Sequence, residues 1–137
     1  MSATLEVNAV SKLMQNAPII KCQGKSFSVT PHWQKLPQTQ EEIIPKAISE
    51  VILKVIKIKT GSILVFLPGE AEIIKVAASL KGQVPTDCRI FLLYGRLDFK
   101  DQQNAIKPLP DGRKIVLATN VAETSLTIEG ILSLIHI

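Results

Sequence analysis

Three short apolar runs stand out along the chain: SILVFLPG from Ser62, RIFLLYG from Arg89 and RKIVLAT from Arg113. None alternates with polar residues. They stop at Pro68-Gly69, Tyr94-Gly95 and Thr119-Asn120. Continuous runs of this length predict strands buried on both faces, as in a parallel sheet, near Ile63–Leu67, Ile90–Leu93 and Lys114–Ala118. Helical patterns lie between and before them. Ile44, Ile48, Val51, Ile52, Val55 and Ile56 recur at helical spacing, with Lys46, Glu50, Lys54 and Lys57 mostly off that stripe. Thr39 and Glu42 are spaced as a capping box, Pro45 falls in the first turns, so that the regular helix would start there, and Thr60-Gly61 ends the element. EAEIIKVAASLKG is an amphipathic helix closed by Gly82, and DFKDQQNAIKPL is a helix with Asp98 in the N-cap position. Strands alternating with helices predict an α/β layered sheet with right-handed crossovers. Ligands gather at the carboxyl ends of strands in such sheets, where the three turns would meet.

The first third reads differently. Val10 to Asn16 closes a short helix, Pro18 breaks it, and Ile19-Ile20 begins an extended segment. KSFSVTPHWQKLP, with two prolines, reads as a connector and not a core strand. At 137 residues and 46% hydrophobic, the chain suits one modest domain with a real core. Lys54, Lys57 and Lys59 interrupt the most apolar helix, so no run reaches membrane-span length, and MSATLEVNAV lacks the marks of a signal peptide. Cys22 and Cys88 form no CxxC, which points to reduced thiols and a cytoplasmic protein. A net charge of +4 permits a polyanionic partner without requiring one.

Candidate chemistry is sparse. Gly24-Lys25-Ser26 has the tail of a phosphate-binding P-loop, but Ile19 stands where the loop needs its first glycine, and no amphipathic helix follows; it is a decoy. His32 and His136 are too separated for a metal pair. No nucleophile elbow or Ser-His-Asp set is present. Glu41-Glu42 and Glu70/Glu72 read as solvated helix residues, and Cys88 as a small buried hydrophobe. LATNVAETSLTI remains. One reading is a strand, a turn capped by Thr119 or Asn120, one helical turn and a new strand. The other is an anion site, where hydroxyls, an amide and free backbone N–H groups suit phosphate oxygens without reading base identity.

RKIVLATNVAETSLTIEGI resembles motif V of the DEAH-box ATP-dependent RNA helicases, and ILVFLPGEAEI resembles their motif IV. LLYGRLDFKDQQNAI is similar to the stretch between those motifs. MSATLE resembles motif III, the Ser-Ala-Thr closing the first RecA-like domain, and APIIKCQGKSFSVTPHWQKLP the connector after it. Within the family the bacterial HrpB type fits best, through GKSFSV, FLPGEAEI and TIEGI. The resemblance covers Met1 to about Ile131. It implies a RecA-like parallel sheet flanked by helices, an incomplete second domain of a P-loop-type helicase. It also implies that Ser2, Ala3 and Thr4 form the motif coupling hydrolysis to unwinding. Thr119 and Asn120, with Ser125 nearby, would approach nucleic-acid backbone. Thr127 and Glu129 would face the nucleotide, although the family commonly has aspartate where Glu129 stands. Many relatives carry an aromatic where Ile106 stands, so Ile106 offers only an apolar contact.

The family's P-loop, Asp-Glu-Ala-His and Gln-Arg-x-Gly-Arg-x-Gly-Arg motifs are absent from the sequence. A fragment of a longer helicase is therefore expected. Residues 1–37 would hold the end of the first domain and the connector, and residues 38–131 a partial second domain. Residues 132–137 would be a non-native tail: one codon string for LSLIHI matches the transposon mosaic end of sequencing libraries, while its apolar alternation also suits a natural strand. The parent would use ATP and Mg2+ and bind single-stranded nucleic acid, with RNA expected; the fragment alone is expected to bind neither ATP nor Mg2+ and to be inactive. The alternative is a non-catalytic α/β module whose strand-end loops contact protein.

Overall fold

The computed structural model describes residues 7–20, 27–35, 43–120 and 127–137. The chain divides into two compact units, Met1–Lys35 and Leu36–Ile137. In the first, helix α1 (Val7–Leu13) ends before Gln15 and Asn16, both at positive φ. Asparagine tolerates that conformation better than most residues, and it stops the helix before Pro18. Ser11 Oγ donates to the Ala17 carbonyl at 2.8 Å and fastens the turn.

The second unit carries helix α2 (Ile43–Ile58), strand β1 (Ser62–Phe66), helix α3 (Glu70–Leu80), strand β2 (Cys88–Leu93), helix α4 (Phe99–Ile106), strand β3 (Arg113–Ala118) and strand β4 (Ile131–His136). The four strands form one sheet in the order β2-β3-β1-β4, every pairing parallel. The two central strands are the two most buried ones. All five residues of β1 are buried, as are all of β3 beyond Arg113. Burial on both faces is what a parallel sheet with helices on each side requires.

Alternate residues of the central strands feed two separate cores. Ile63, Val65, Leu67, Ile115 and Leu117 face Ile48, Ile52 and Ile56 of α2 and Ile73, Val76 and Leu80 of α3. Leu64, Phe66, Val116 and Ala118 face the other way, with Leu93, Ala105 of α4 and Ile128. Burial of each large aliphatic side chain contributes roughly 1.5–3 kcal/mol. Truncation of Ile52, fully buried at the middle of α2, to alanine should cost about 2–5 kcal/mol. Gly112 makes the turn into β3. Its φ is +91°, and a Cβ there would collide with the Asp87 carbonyl oxygen, which accepts from the Arg113 N–H at 2.8 Å. Only glycine fits that close approach.

The first two residues of β3 hold the helices of opposite faces. The Arg113 guanidinium donates to the carbonyls of Ile56 (2.8 Å), Lys59 (2.7 Å) and Gly61 (2.7 Å), closing the carboxyl end of α2. The next side chain points to the other face, as strand geometry demands. There the Lys114 ammonium donates to the carbonyls of Asn104 and Ala105, each at 3.0 Å, and of Lys107. It also lies 4.6 Å from the centre of the Phe91 ring. Helix ends leave orphan carbonyls carrying partial negative charge, so a cation at each suits both hydrogen bonding and the helix dipole. Lys114 is only 2% exposed, and burial pulls its ammonium below the ordinary lysine value.

Three details depart from the sequence pattern. RIFLLYG predicts a strand buried on both faces, but β2 is an edge strand, with Arg89 exposed and Ile90, Phe91 and Leu92 only partly covered. The apolar run reports the strand but not its position in the sheet. Asp98 occupies the N-cap position of α4, yet its side chain makes no capping hydrogen bond; its backbone carbonyl instead accepts from Asp101 and Gln102. Helix α2 begins at Ile43, before Pro45, while Thr39 and Glu42 lie outside the described residues. Residues 132–136 continue β4 alongside β1, with a register irregularity between Ser62 and Ile63.

Candidate nucleic-acid interface

Parallel pairing brings the carboxyl ends of β1, β2 and β3 to one edge. Leu67 N–H donates to the Ala118 carbonyl at 2.8 Å, and Thr119 N–H to the Leu93 carbonyl at 3.1 Å. The three exits, Pro68-Gly69, Tyr94-Gly95 and Thr119-Asn120, therefore lie side by side, as the sequence pattern implies. Thr119 is half-buried and Asn120 exposed. Asn120 lines an open cleft of about 290 Å³ with Phe66, Leu67, Pro68, His136 and Ile137. Within it the His136 ring stands edge-on to the Phe66 ring, centre to centre 6.0 Å.

Helices α3 and α4 also start at this edge, and neither has a side-chain cap. Free N–H groups at such starts attract anions. Here Glu70 and Glu72 in the first turn of α3, and Asp101 in that of α4, oppose them. The cations of the edge are Arg96 in the β2–α4 turn and Lys100 just inside α4, both exposed.

Thr127 and Glu129 lie elsewhere. They precede β4, and the Gly130 carbonyl accepts from the Ser62 N–H at 2.9 Å, which places this loop at the amino end of the sheet. At about 3.3 Å per residue, the length of β1 separates it from the carboxyl edge by roughly 13 Å. Ile128 is buried in the α4-side core, so Thr127 and Glu129 on either side of it are exposed. Ser62 also accepts the Lys114 N–H through its hydroxyl at 2.9 Å. The loop is thus tied to the strand that closes α4, of which Ile106 is the half-buried last residue. The structure separates the two expected contact groups instead of merging them into one site.

Ser2, Ala3, Thr4 and Ser125 fall outside the described residues, as does Gly24-Lys25-Ser26. His32 and Trp33 are exposed. Cys88 is buried, and its thiol is pushed up by burial and by the neighbouring Asp87 carboxylate, with Arg113 opposing. Among the described residues no group of three His, Cys, Asp or Glu is placed to hold a metal, and no helix is long and apolar enough to cross a membrane. Sequence reasoning missed Arg113 and Lys114 as helix closures. The one available signal was a pair of cations opening a strand with helices on both faces.

A four-stranded parallel sheet with helices on both faces and polar strand exits at one edge is a layered α/β domain, and the likenesses that follow make it RecA-like. Residues 44–137 match the helicase conserved C-terminal domain, and the chain belongs to that family. It is 42% identical over 132 residues to the ATP-dependent RNA helicase HrpB of Escherichia coli (strain K12), covering 96% of this chain and 16% of that protein. It is 35% identical over 133 residues to HrpA of the same organism, covering 95% of this chain and 10% of that protein. Among solved structures, the crystal structure of the E. coli DExH-box NTPase HrpB superposes with a TM-score of 0.80 at 40% identity, over 99% of this chain and 17% of that one. The E. coli DEAH/RHA helicase HrpB gives 0.82 at 39% identity, with the same coverage. The chain spans about a sixth of the HrpB relative it matches.

Proposed function

We propose that this chain is a piece of an ATP-dependent RNA helicase and supplies backbone-phosphate contacts to single-stranded RNA from the carboxyl edge of its sheet. The observation that carries the reading is Thr119-Asn120 leaving a strand buried from Lys114 onward, at an edge where two neighbouring strand exits and an open cleft also lie. A hydroxyl and an amide there can hold phosphate oxygens whatever the base. Thr127 and Glu129, at the opposite end of β1, are the residues for a nucleotide's sugar or base edge. Ser2, Ala3 and Thr4 couple the two events in the parent, with Ser125 assisting at the backbone.

ATP and Mg2+ act in that parent. Thr127 and Glu129 offer one hydroxyl and one carboxylate, which do not make the oxygen-rich, phosphate-shared setting in which Mg2+ binds. Phosphoryl transfer to water also needs a phosphate cradle, a held metal and a group that positions the water. The sequence contains no P-loop, Asp-Glu-Ala-His or arginine-rich final motif to supply them. The chain alone is therefore expected to release no phosphate from ATP with RNA and magnesium present.

The binding test is a titration of labelled single-stranded RNA. A dissociation constant on the order of 10⁻⁴ M or weaker at physiological salt is expected, since non-specific electrostatic contacts carry it. Thr119→Ala should weaken binding equally for two homopolymers of different base. Unaltered binding in Thr119→Ala, or a loss confined to one homopolymer, would contradict the backbone reading.

A further inference from the structure

The sheet has two edges, and the chain guards them unequally. β2 carries the exposed Arg89 within its run. β4 forms the other edge. Among the described residues it has a hydrogen-bonded neighbour on one side only, β1. Residues 131–137 read ILSLIHI, with no Asp, Glu, Lys, Arg or Pro. Leu132 is 72% exposed and Leu134 60%. An edge strand presents a row of backbone donors and acceptors that invites another strand, and charges, prolines and bulges are the usual guards. β4 has only the last of these. The irregularity between Ser62 and Ile63 leaves Leu132 out of register with β1, but residues 133–136 then run regularly beside 63–66.

Residues 131–135, ILSLI, read the same in both directions. Such a sequence suits antiparallel pairing with itself about a twofold axis, which sets like residues opposite one another. The faces of the sheet decide where that axis falls, because directly opposed residues of an antiparallel pair share a face. An axis at Ser133 would oppose Ile131 to Ile135. Ile131 packs against the α4-side core, however, and Ile135 against the core under α2 and α3. The irregularity has put them on opposite faces. An axis at Leu134 avoids the conflict. It sets Ser133 opposite Ile135, which are registered with Ile63 and Val65 of a single face, and it sets Leu134 opposite its own copy. Two largely exposed leucines would then cover each other.

We propose that β4 is a self-association edge, on which two copies of this chain pair β4 with β4, antiparallel about Leu134, and join two four-stranded sheets into one. A second copy fits this edge because like meets like without setting like charges opposite each other. The arrangement is isologous and closes at two copies. A strand of six residues is about 20 Å long. Its pairing buries well under the roughly 1,200 Å² of a standard interface, so the dimer is weak and concentration-dependent.

The test is sedimentation velocity on the whole chain, from micromolar to millimolar concentration. An equilibrium between monomer and dimer that goes no further is expected. Leu134→Lys should raise the dissociation constant about ten-fold or more, because it sets two ammonium groups against each other. The melting temperature of dilute protein should not change, since Leu134 is largely exposed. Leu134→Cys places a thiol at the axis opposite its own copy, within the Cα separation that a disulfide spans. Under a mild thiol oxidant it should cross-link faster than Ala78→Cys, an exposed position on α3, which packs over β2 and β3. Wild type, with Cys22 and Cys88, sets the background. No nucleic acid is present, so the result does not depend on the binding reading above. A wild type that stays monomeric, a dimer that survives Leu134→Lys, or cross-linking of Leu134→Cys no faster than that of Ala78→Cys would overturn the proposal. Growth beyond two copies would overturn it too, because only an open-ended contact between different edges continues.

Discussion

At the amino end of the sheet, Arg113 and Lys114 direct six N–H···O contacts into the carboxyl ends of two helices on opposite faces. At the carboxyl end, Arg96 and Asn120 project from strand exits into solvent. The same residue types thus serve two purposes along strands a few residues long. A cation whose donors are used inside the fold contributes stability and has little left to offer a ligand. An exposed side chain just past a strand contributes little stability and is available for binding. The contrast says where a substitution should unfold the domain and where it should weaken only recognition.

The largest effect should come from Lys114→Met. Removing the ammonium strips three carbonyls at the end of α4 and the contact over Phe91. A loss of about 2–4 kcal/mol is expected in urea unfolding, from charged hydrogen bonds of roughly 1.5–3 kcal/mol and partial rehydration of the exposed carbonyls. Arg113→Ala should follow at about 1.5–3 kcal/mol, since its side chain is half-buried and water can replace part of what it gives. Both should lower the melting temperature. If either variant melts like wild type, the closure assigned to that end of the sheet is wrong.

Carboxyl-edge variants sharpen the contrast from the other side. Thr119→Ala and Asn120→Ala should each shift stability by less than about 1 kcal/mol while weakening RNA binding several-fold. A variant that lost both together would show that this edge also holds the fold.

The smallest effect concerns alkaline pH. Burial lowers the Lys114 pKa in the folded state from the ordinary 10.5. Between those two values the unfolded chain binds the proton and the folded chain does not, so stability rises with pH in that window. Wild type should therefore gain stability relative to Lys114→Met as pH climbs toward 10.5. A flat difference between the two proteins would indicate that the three carbonyls and the Phe91 ring fully offset the desolvation.

The central strands were legible because burial on both faces leaves an unbroken apolar run, and β1 and β3 fall where Ile63–Leu67 and Lys114–Ala118 predict. Helix α2 was legible because Ile48, Ile52 and Ile56 repeat at the spacing of one face. The edge position of β2 was not, since pattern reports how apolar a strand is and not which strands flank it. Lys114 was illegible for a related reason. Period-two alternation gives its face, but nothing local says that the end of α4 waits there for a cation. At the interface, Thr119 and Asn120 were legible as polar residues just past an apolar strand. That Thr127 and Glu129 lie at the far end of β1 depends on the parallel return into β4, a long-range pairing that the run of hydroxyls does not encode.

Backbone amide shifts recorded on the whole chain, during titration with a single-stranded oligoribonucleotide at low salt, test the division of the sheet most directly. Thr119 and Asn120 should move together and saturably, with Ser62, Arg113 and Lys114 unmoved. Shifts centred on the amino end, with Thr119 and Asn120 still, would contradict it.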